Sequence, residues 1–513
     1  MPSDRPLFSQ SPRFDAWGLV NAAIARPEWT GAALLVVLYA WSYFSLPPLP
    51  GNDAAHALGW LGWFDQSRHL ESARALAQGD LSPARHWYPL GYALLTAPFA
   101  LWSPGHSFVV VNLASLLLCY AGFLAFSARA GVAPGWAALV FLFSLLVPGP
   151  FLGQWTIPWN TSPTSALIWL LLAQVAAHLQ GARRPLPIGL LAAAIPLIRP
   201  TEALVAALCV LAAILSDLRH RPRHPLRDLG LLLLGGLLPV VAYAALHLRI
   251  YGFQPSPYML ASREMGFSFH ALGLKAYTLL LDPAPWFQDG RGLLQRAPYL
   301  ALALAGGVVA WAHSRLLGLL ALLIAVHTGL YLAYTDLLPT GFWRFLNYHY
   351  FKWAIPGATL LGFVLLRDLL RWRRAPAFPL APLALLLSLP LLSLHLLPER
   401  QAEDAPARMI FFPGTPQDWS EVYFGRFALR DAEGEMHNFR EMRVMPVPGG
   451  FRVFALRRPF QGPVQWVAPP AGLQAGAAPE YYGALPGLGR PCWLRLRGCP
   501  RLDNPLLPPA PRY

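Results

Sequence analysis

The feature that most constrains this chain is a series of apolar runs long enough to cross a bilayer. The first, "GAALLVVLYAWSYFSL", begins at Gly31. Further runs of about twenty residues lie at about 107–127, 135–151, 163–180, 229–248, 297–312, 315–334, 352–367 and 377–397. In hydrocarbon every backbone N–H and C=O must pair within its own segment, so such runs fold as helices. Only 13% of the 513 residues are charged and 55% are hydrophobic, whereas soluble domains carry roughly a quarter charged residues. About thirty polar or mixed residues precede the first run, more than the short basic start of a cleavable signal peptide, so this run is expected to stay as an anchor.

One run is too long for a single span. "IGLLAAAIPLIRPTEALVAALCVLAAIL", from Ile188 to Leu215, is interrupted by Arg199, Pro200 and Glu202. Arg183 and Arg184 precede it and "RHRPRHPLR" follows it. Basic flanks collect on the cytoplasmic side, and a proline breaks a helix, so the run reads as a hairpin turning at Arg199-Pro200. That choice gives about eleven transmembrane helices, a cytoplasmic N-terminus, and the clusters at Arg183, Arg219–Arg227 and Arg367–Arg374 all inside. The expected organisation is a cytoplasmic segment at 1–29, a transmembrane domain at 30–397 with outer loops at about 47–106 and 249–296, and an outer region at 398–513.

The net charge is +14. The positive-inside rule accounts for it, and no nucleic-acid partner is implied. The basic residues are nearly all arginine, with lysine only at Lys275 and Lys352. With abundant Ala, Leu and Pro, that bias suggests a GC-rich bacterial genome, hence a bacterial inner membrane.

From Arg408 the pattern changes to short strand-like runs: "RMIFF", "EVYFGRFAL", "MRVMPV" and "FRVFALRR", the last two separated by a "PGG" turn. They predict a small β-rich domain ending in a Pro-rich tail. Cys492 and Cys499 flank "WLRLRG" there; they form a disulfide if this end is outside the cytoplasm, or remain two thiols. Cys119 and Cys209 sit in apolar runs, where cysteine behaves as a small hydrophobe.

The outer loop holds "GWFDQSRHLESARALAQGD", Gly62–Asp80, an amphipathic helix with an acid in its first turn. Asp65 and His69, four apart, share a face, with Ser72 one turn on. An aspartate at a helix start is often an N-cap, and His69 alone reads as an ordinary surface histidine. This stretch and the following "HWYPLGYALLTAPFALW" resemble the first outer loop of polyprenyl-phosphate-sugar-dependent integral membrane glycosyltransferases of the GT-C superfamily, in its ArnT-like and PMT-like branch. "IRPTEALV", "DGRGLLQRAP" and "FWRFLNYHYFKWAIP" fit the same family in the same order, over about residues 30–370. Departures are His69 where an aromatic is commoner, and Leu90 and Ala93 in place of prolines.

The resemblance implies an all-α polytopic, GT-C-like membrane enzyme that moves a sugar from a polyprenyl-phosphate carrier to a glycan, lipid or protein acceptor on the periplasmic side. It assigns the loop acid as base or acceptor contact, with Asp65 the matching position and Asp53, in "GNDAAH", the rival. A hydroxyl attacking an anomeric carbon needs a base. The leaving phosphate needs cations. Arg199 is the first candidate cation, because a charge inside an apolar run is expensive and faces a cavity or a partner; the bland reading is an ion pair with Glu202 or a snorkelling tip. Arg291, Arg344 and Lys352 lie at outer span ends, where they suit lipid phosphates or simply headgroups. His69, Tyr88, Tyr348 and His349 are candidate sugar or acceptor contacts, although Tyr348, Tyr350 and Trp353 also read as an interfacial belt. Asp53, His56, Asp65, His69 and His86 in one loop would suit a divalent metal, with no spacing that selects one. Two other classes fit the composition: a lipid-linked glycan flippase, and a non-catalytic envelope assembly protein.

Overall fold

The computed structural model describes residues 26–45, 64–146, 151–220, 225–267, 272, 276, 280, 293–334, 347–370, 409–414, 428–438, 442–447, 449–455, 460–468 and 480–482. The expected span at 377–397 and the candidates Asp53, His56, Arg291, Arg344, Cys492 and Cys499 lie outside them.

The chain is a multi-pass helical membrane protein with a small β-rich C-terminal region, the architecture its apolar runs predict. Its helices are α1 Pro27–Phe44, α2 Phe64–Gln78, α3 Leu90–Trp102, α4 Val109–Arg129, α5 Pro134–Leu146, α6 Gly153–Thr156, α7 Thr161–Ala177, α8 Pro185–Ile198, α9 Ala203–His220, α10 Pro225–Tyr251, α11 Pro257–Met265, α12 Leu293–Arg296, α13 Ala301–His313, α14 Arg315–Ala333 and α15 Ala354–Leu370. Among the described residues five helical stretches, 109–129, 161–182, 200–220, 225–251 and 315–333, are long and apolar enough to cross a membrane. Helix α3, 13 residues long, lies in what reads as outer loop. It is too short to span but apolar enough to bury Leu90, Tyr92, Ala93 and Ala100.

The hairpin is present. Helix α8 stops at Ile198, Arg199 is extended (φ −144°), and Pro200–Glu202 form one 3-10 turn into α9. The two helices return to the same end of the bundle: His178, just after α7, meets Asp217 near the end of α9 at 3.0 Å and accepts the Arg184 amide at 3.1 Å. Arg183 pairs with Asp228 in the first turn of α10 at 2.8 Å, and Gln180 donates to the Arg129 carbonyl at 2.8 Å. Three loops rich in arginine thus meet at one end. At the other end Asn160, before α7, donates to the Ile198 carbonyl at 3.2 Å. The start of α15 packs there too, through the Trp169 indole on the Trp353 carbonyl at 3.0 Å. Arg315 and Arg367, at the far ends of α14 and α15, therefore belong to the arginine-rich end.

Close helix approach depends on glycine. A Cβ on Gly189 of α8 would lie 2.0 Å from the Leu232 carbonyl oxygen of α10, and one on Gly235 would lie 2.3 Å from that of Leu186. Small residues at such crossings let backbones touch where lipid gives no hydrophobic drive.

The C-terminal strands are β1 Met409–Pro413, β2 Ala428–Arg430, β3 Met436–Asn438, β4 Met442–Val447, β5 Gly450–Ala455, β6 Gln465–Ala468 and β7 Glu480–Tyr482. They form an antiparallel sheet of order β4-β5-β1-β7 and a smaller one of order β3-β2-β6. The expected "PGG" hairpin joins β4 to β5, Gly449 supplying the positive φ of 79°. Asp431 ties the second sheet together, accepting from the amides of Glu433, Glu435 and Gln461 and from His437 Nε2 at 3.1 Å. Burial would raise its pKa, but these donors outweigh burial and hold it below the usual range.

Gly189→Val should separate α8 from α10 and lower the unfolding temperature in detergent, because overpacking costs about 1–3 kcal/mol. Gly230→Ala, on α10 with nothing within 4 Å, should leave it unchanged or slightly raised.

Candidate functional site

Helix α2 lies across the end of the bundle away from the arginine-rich loops. Its face carrying Gln66, His69, Leu70 and Ala73 is buried, and Leu70 packs with Tyr92, Phe108 and Ile198, the residue before Arg199. This contact sets the loop acid beside the hairpin turn. Asp65 accepts a 2.5 Å hydrogen bond from the Tyr88 hydroxyl. His69 stacks on Tyr88 with ring centroids 4.5 Å apart and meets the edge of Tyr92 at 5.1 Å. Tyr92 is fixed in turn through Asn112 at 2.9 Å. Tyr88 also touches Tyr258 of α11 at 5.2 Å. His69 is thus no surface residue: burial, with the Arg199 charge adding to it, depresses its pKa to about 3. Burial first, then the Asp65 charge, raises that of Tyr88 well above its usual value.

Arg199 is 7% exposed and spans the space between α7 and α14. Its Nε donates to Tyr331 at 2.9 Å and its Nη1 to Asn160 at 2.8 Å. The guanidinium lies over the Tyr350 ring at 4.5 Å and farther from that of Tyr331, at 5.7 Å. Glu202 stands 3.8 Å from Nε. It is 1% exposed and is held more tightly by Tyr331 at 2.9 Å and His327 Nδ1 at 3.1 Å. The ion pair with Glu202 is therefore present within a larger set of partners, and the side chain does not snorkel.

Lys352 is 2% exposed. It donates to Ser162 at 2.7 Å and lies 5.3 Å from the Trp155 ring, with no carboxylate in ion-pair reach among the described residues. His349 stacks flat on Trp159, centroids 3.9 Å apart, with Nδ1 3.1 Å from Thr161 Oγ1. Tyr350 bridges these halves, 4.3 Å from His349 and 4.8 Å from Tyr331. Tyr348 is buried against Phe151, its hydroxyl accepting from Gln154 at 3.1 Å. Asp65, His69, Tyr88, Arg199, His349 and Lys352 thus gather around one aromatic set.

His86 is engaged elsewhere, through Ser72 at 2.8 Å and the Asp80 carbonyl at 3.0 Å. Among the described residues no three His, Cys, Asp or Glu side chains gather to hold a metal ion. A cavity of about 430 Å³ lies on the opposite flank of α2, lined by Glu71, Arg74, Asp80 and Arg85 among others, away from Asp65.

Sequence reading did not single out Asn160, His327, Tyr331, Gln66 or Trp159. His327 carried a signal, a lone ionisable residue inside an apolar run. Asn160 and Trp159 immediately precede helix α7, where nothing in the local sequence marks a site.

No family model and no curated protein matches the chain. Among solved structures it is similar to the crystal structure of ArnT from Cupriavidus metallidurans bound to undecaprenyl phosphate, at 16% identity and a TM-score of 0.45, over 69% of this chain and 61% of that one. It is also similar to the same protein in the apo state, at 16% identity and a TM-score of 0.44, over 67% and 60%. The chain thus spans about three fifths of the ArnT structures it matches.

Two outcomes follow. Folded His69 takes up a proton only near pH 3, whereas in the unfolded chain it does so below about 6.5. Acid therefore favours unfolding, and stability should fall by up to about 1.4 kcal/mol per pH unit from pH 6.5 downward. His69→Gln should flatten that slope in detergent melts. Glu202→Leu, which strands buried Arg199 and His327, should cost about 3–5 kcal/mol, while Thr201→Val, removing a hydroxyl 2.9 Å from Tyr331, should cost less.

Proposed function

We propose that the chain is an inverting glycosyltransferase that moves a sugar from a polyprenyl-phosphate carrier to an acceptor hydroxyl at the outer face of the bacterial inner membrane. The observation that carries this reading is the pair of buried basic side chains, Arg199 and Lys352, gathered with the half-buried Asp65 about one aromatic set. Glu202 offsets Arg199, and Lys352 has no described counter-ion. A buried charge without a partner is costly, so the site suits an anionic group. The ordered sequence motifs around Asp65, Arg199 and Lys352 supply the class of that anion, a lipid phosphate. The position of the site supports the sidedness: it lies at the end opposite the arginine-rich loops, which the positive-inside rule puts in the cytoplasm.

In this reading Asp65 takes the proton from the acceptor hydroxyl as its oxygen bonds to the anomeric carbon. The bond from that carbon to the phosphate oxygen breaks in the same displacement, inverting the centre. The electron pair leaves with the phosphate, which Arg199 and Lys352 stabilise. Tyr88 fixes the carboxylate rotamer, and Asn160, Tyr331 and Glu202 fix the guanidinium. Arg291 and Arg344 are proposed to join them on the phosphate, with Asp53 the alternative base.

The test is transfer from labelled polyprenyl-phosphate sugars in proteoliposomes. Asp65→Asn should lower kcat by roughly a hundredfold or more, the range for a general base, with donor KM little changed. Lys352→Met should instead raise donor KM. Loss with Asp53→Asn alone would move the base to that residue. No transfer from any donor, with faster passage of lipid-linked glycan across the bilayer, would favour a flippase.

A further inference from the structure

Among the described residues, four buried side chains at this site leave polar atoms without a protein partner: Gln66 through both Nε2 and Oε1, His69 through Nδ1, Trp159 through Nε1 and His349 through Nε2. Buried polar groups are nearly always paired, and these four are at most 3% exposed. They are linked in space. Gln66 and His69 share the buried face of α2, His69 is near enough that its protonation would disfavour that of His349, and His349 stacks on Trp159. Tyr88 and Tyr350 lie between the two halves, near enough to interact electrostatically.

We infer that these atoms bind the hydroxyls of an uncharged sugar, so that the donor carries an unmodified hexose or pentose rather than an amino sugar or a uronic acid. This rests on the glycosyltransferase reading of the same site. An amide, two imidazoles and an indole offer donors and acceptors in the mixture that hydroxyls satisfy, and the flanking Trp159, Tyr88 and Tyr350 rings offer stacking faces for the apolar side of a pyranose. Both imidazoles are held neutral. Burial, then the Arg199 and Lys352 charges, keeps His349 below its usual range as burial does His69. A sugar ammonium would need a carboxylate, and those described here are Asp65, assigned above to the acceptor's proton, and Glu202, enclosed by Tyr331, His327 and Arg199. A sugar carboxylate would compete with the phosphate for Arg199 and Lys352.

The test uses the full-length protein in nanodiscs with polyprenyl phosphate alone and with polyprenyl phosphates bearing a neutral hexose, a neutral pentose, an amino sugar or a uronic acid. Binding and transfer are both read. One neutral-sugar donor should bind at least about tenfold more tightly than either charged one. Gln66→Leu and His349→Phe should each weaken it about tenfold or more while leaving the sugar-free lipid phosphate unchanged. Gln66→Glu, which keeps shape and adds charge, should shift preference toward the amino sugar. The inference is overturned if a charged-sugar donor wins, or if folded Gln66→Leu binds and uses every donor as wild type does. If those results come with sugar-free lipid phosphate that binds and is lost in Lys352→Met, the transferase reading stands alone. Should no lipid phosphate bind and no donor react, both fall.

Discussion

Everything at the end of this bundle opposite the arginine-rich loops depends on one buried guanidinium. Arg199 sits where an apolar run breaks, and burying it requires partners from several elements: Asn160 before α7, Tyr331 of α14, Tyr350 before α15, and Glu202 one turn on. Satisfying the charge therefore fixes how four segments converge. Ile198, beside it, then receives Leu70 of α2, and the loop acid is positioned by the same turn that positions the cation.

The arrangement divides the molecule by charge. One end gathers exposed or half-exposed arginines in short loops, tied by Arg183 to Asp228 and by His178 to Asp217. The other gathers aromatic rings around buried ionisable groups. Glycine contacts bring α8 and α10 backbone to backbone, so the first arm of the hairpin carrying Arg199 packs closely on a long helix. Tyr251, at the end of that helix, donates to the His86 carbonyl and secures the loop after α2.

Much of this was legible in the sequence because the costs involved are large. A charge and a proline inside an apolar run leave few choices, so the break at Arg199-Pro200 and the return of α9 could be read directly. The same holds for the hairpin of β4 and β5, marked by Pro448, Gly449 and Gly450 between alternating strands. What could not be read is pairing between distant segments. Nothing near His327 says that it meets Glu202, 125 residues away, and nothing near Trp159 says that His349 will stack on it. Strands β3, β6 and β7, three or four residues each, carry too few positions for alternation to show. Helix α3 was hidden for a related reason, its apolar residues being fewer than a span needs.

The two buried basic side chains bear on timing as well as on recognition. A sugar–phosphate–lipid diester enters with one negative charge, and the lipid phosphate left behind is a monoester carrying about one and a half to two. In the proposed reaction Lys352 and Arg199, both buried, would therefore hold the spent carrier more tightly than the loaded one, because water screens little there. The slow event of each cycle would then be departure of the bare lipid phosphate, and the rate of the whole cycle would follow how fast the membrane draws that carrier away for reloading.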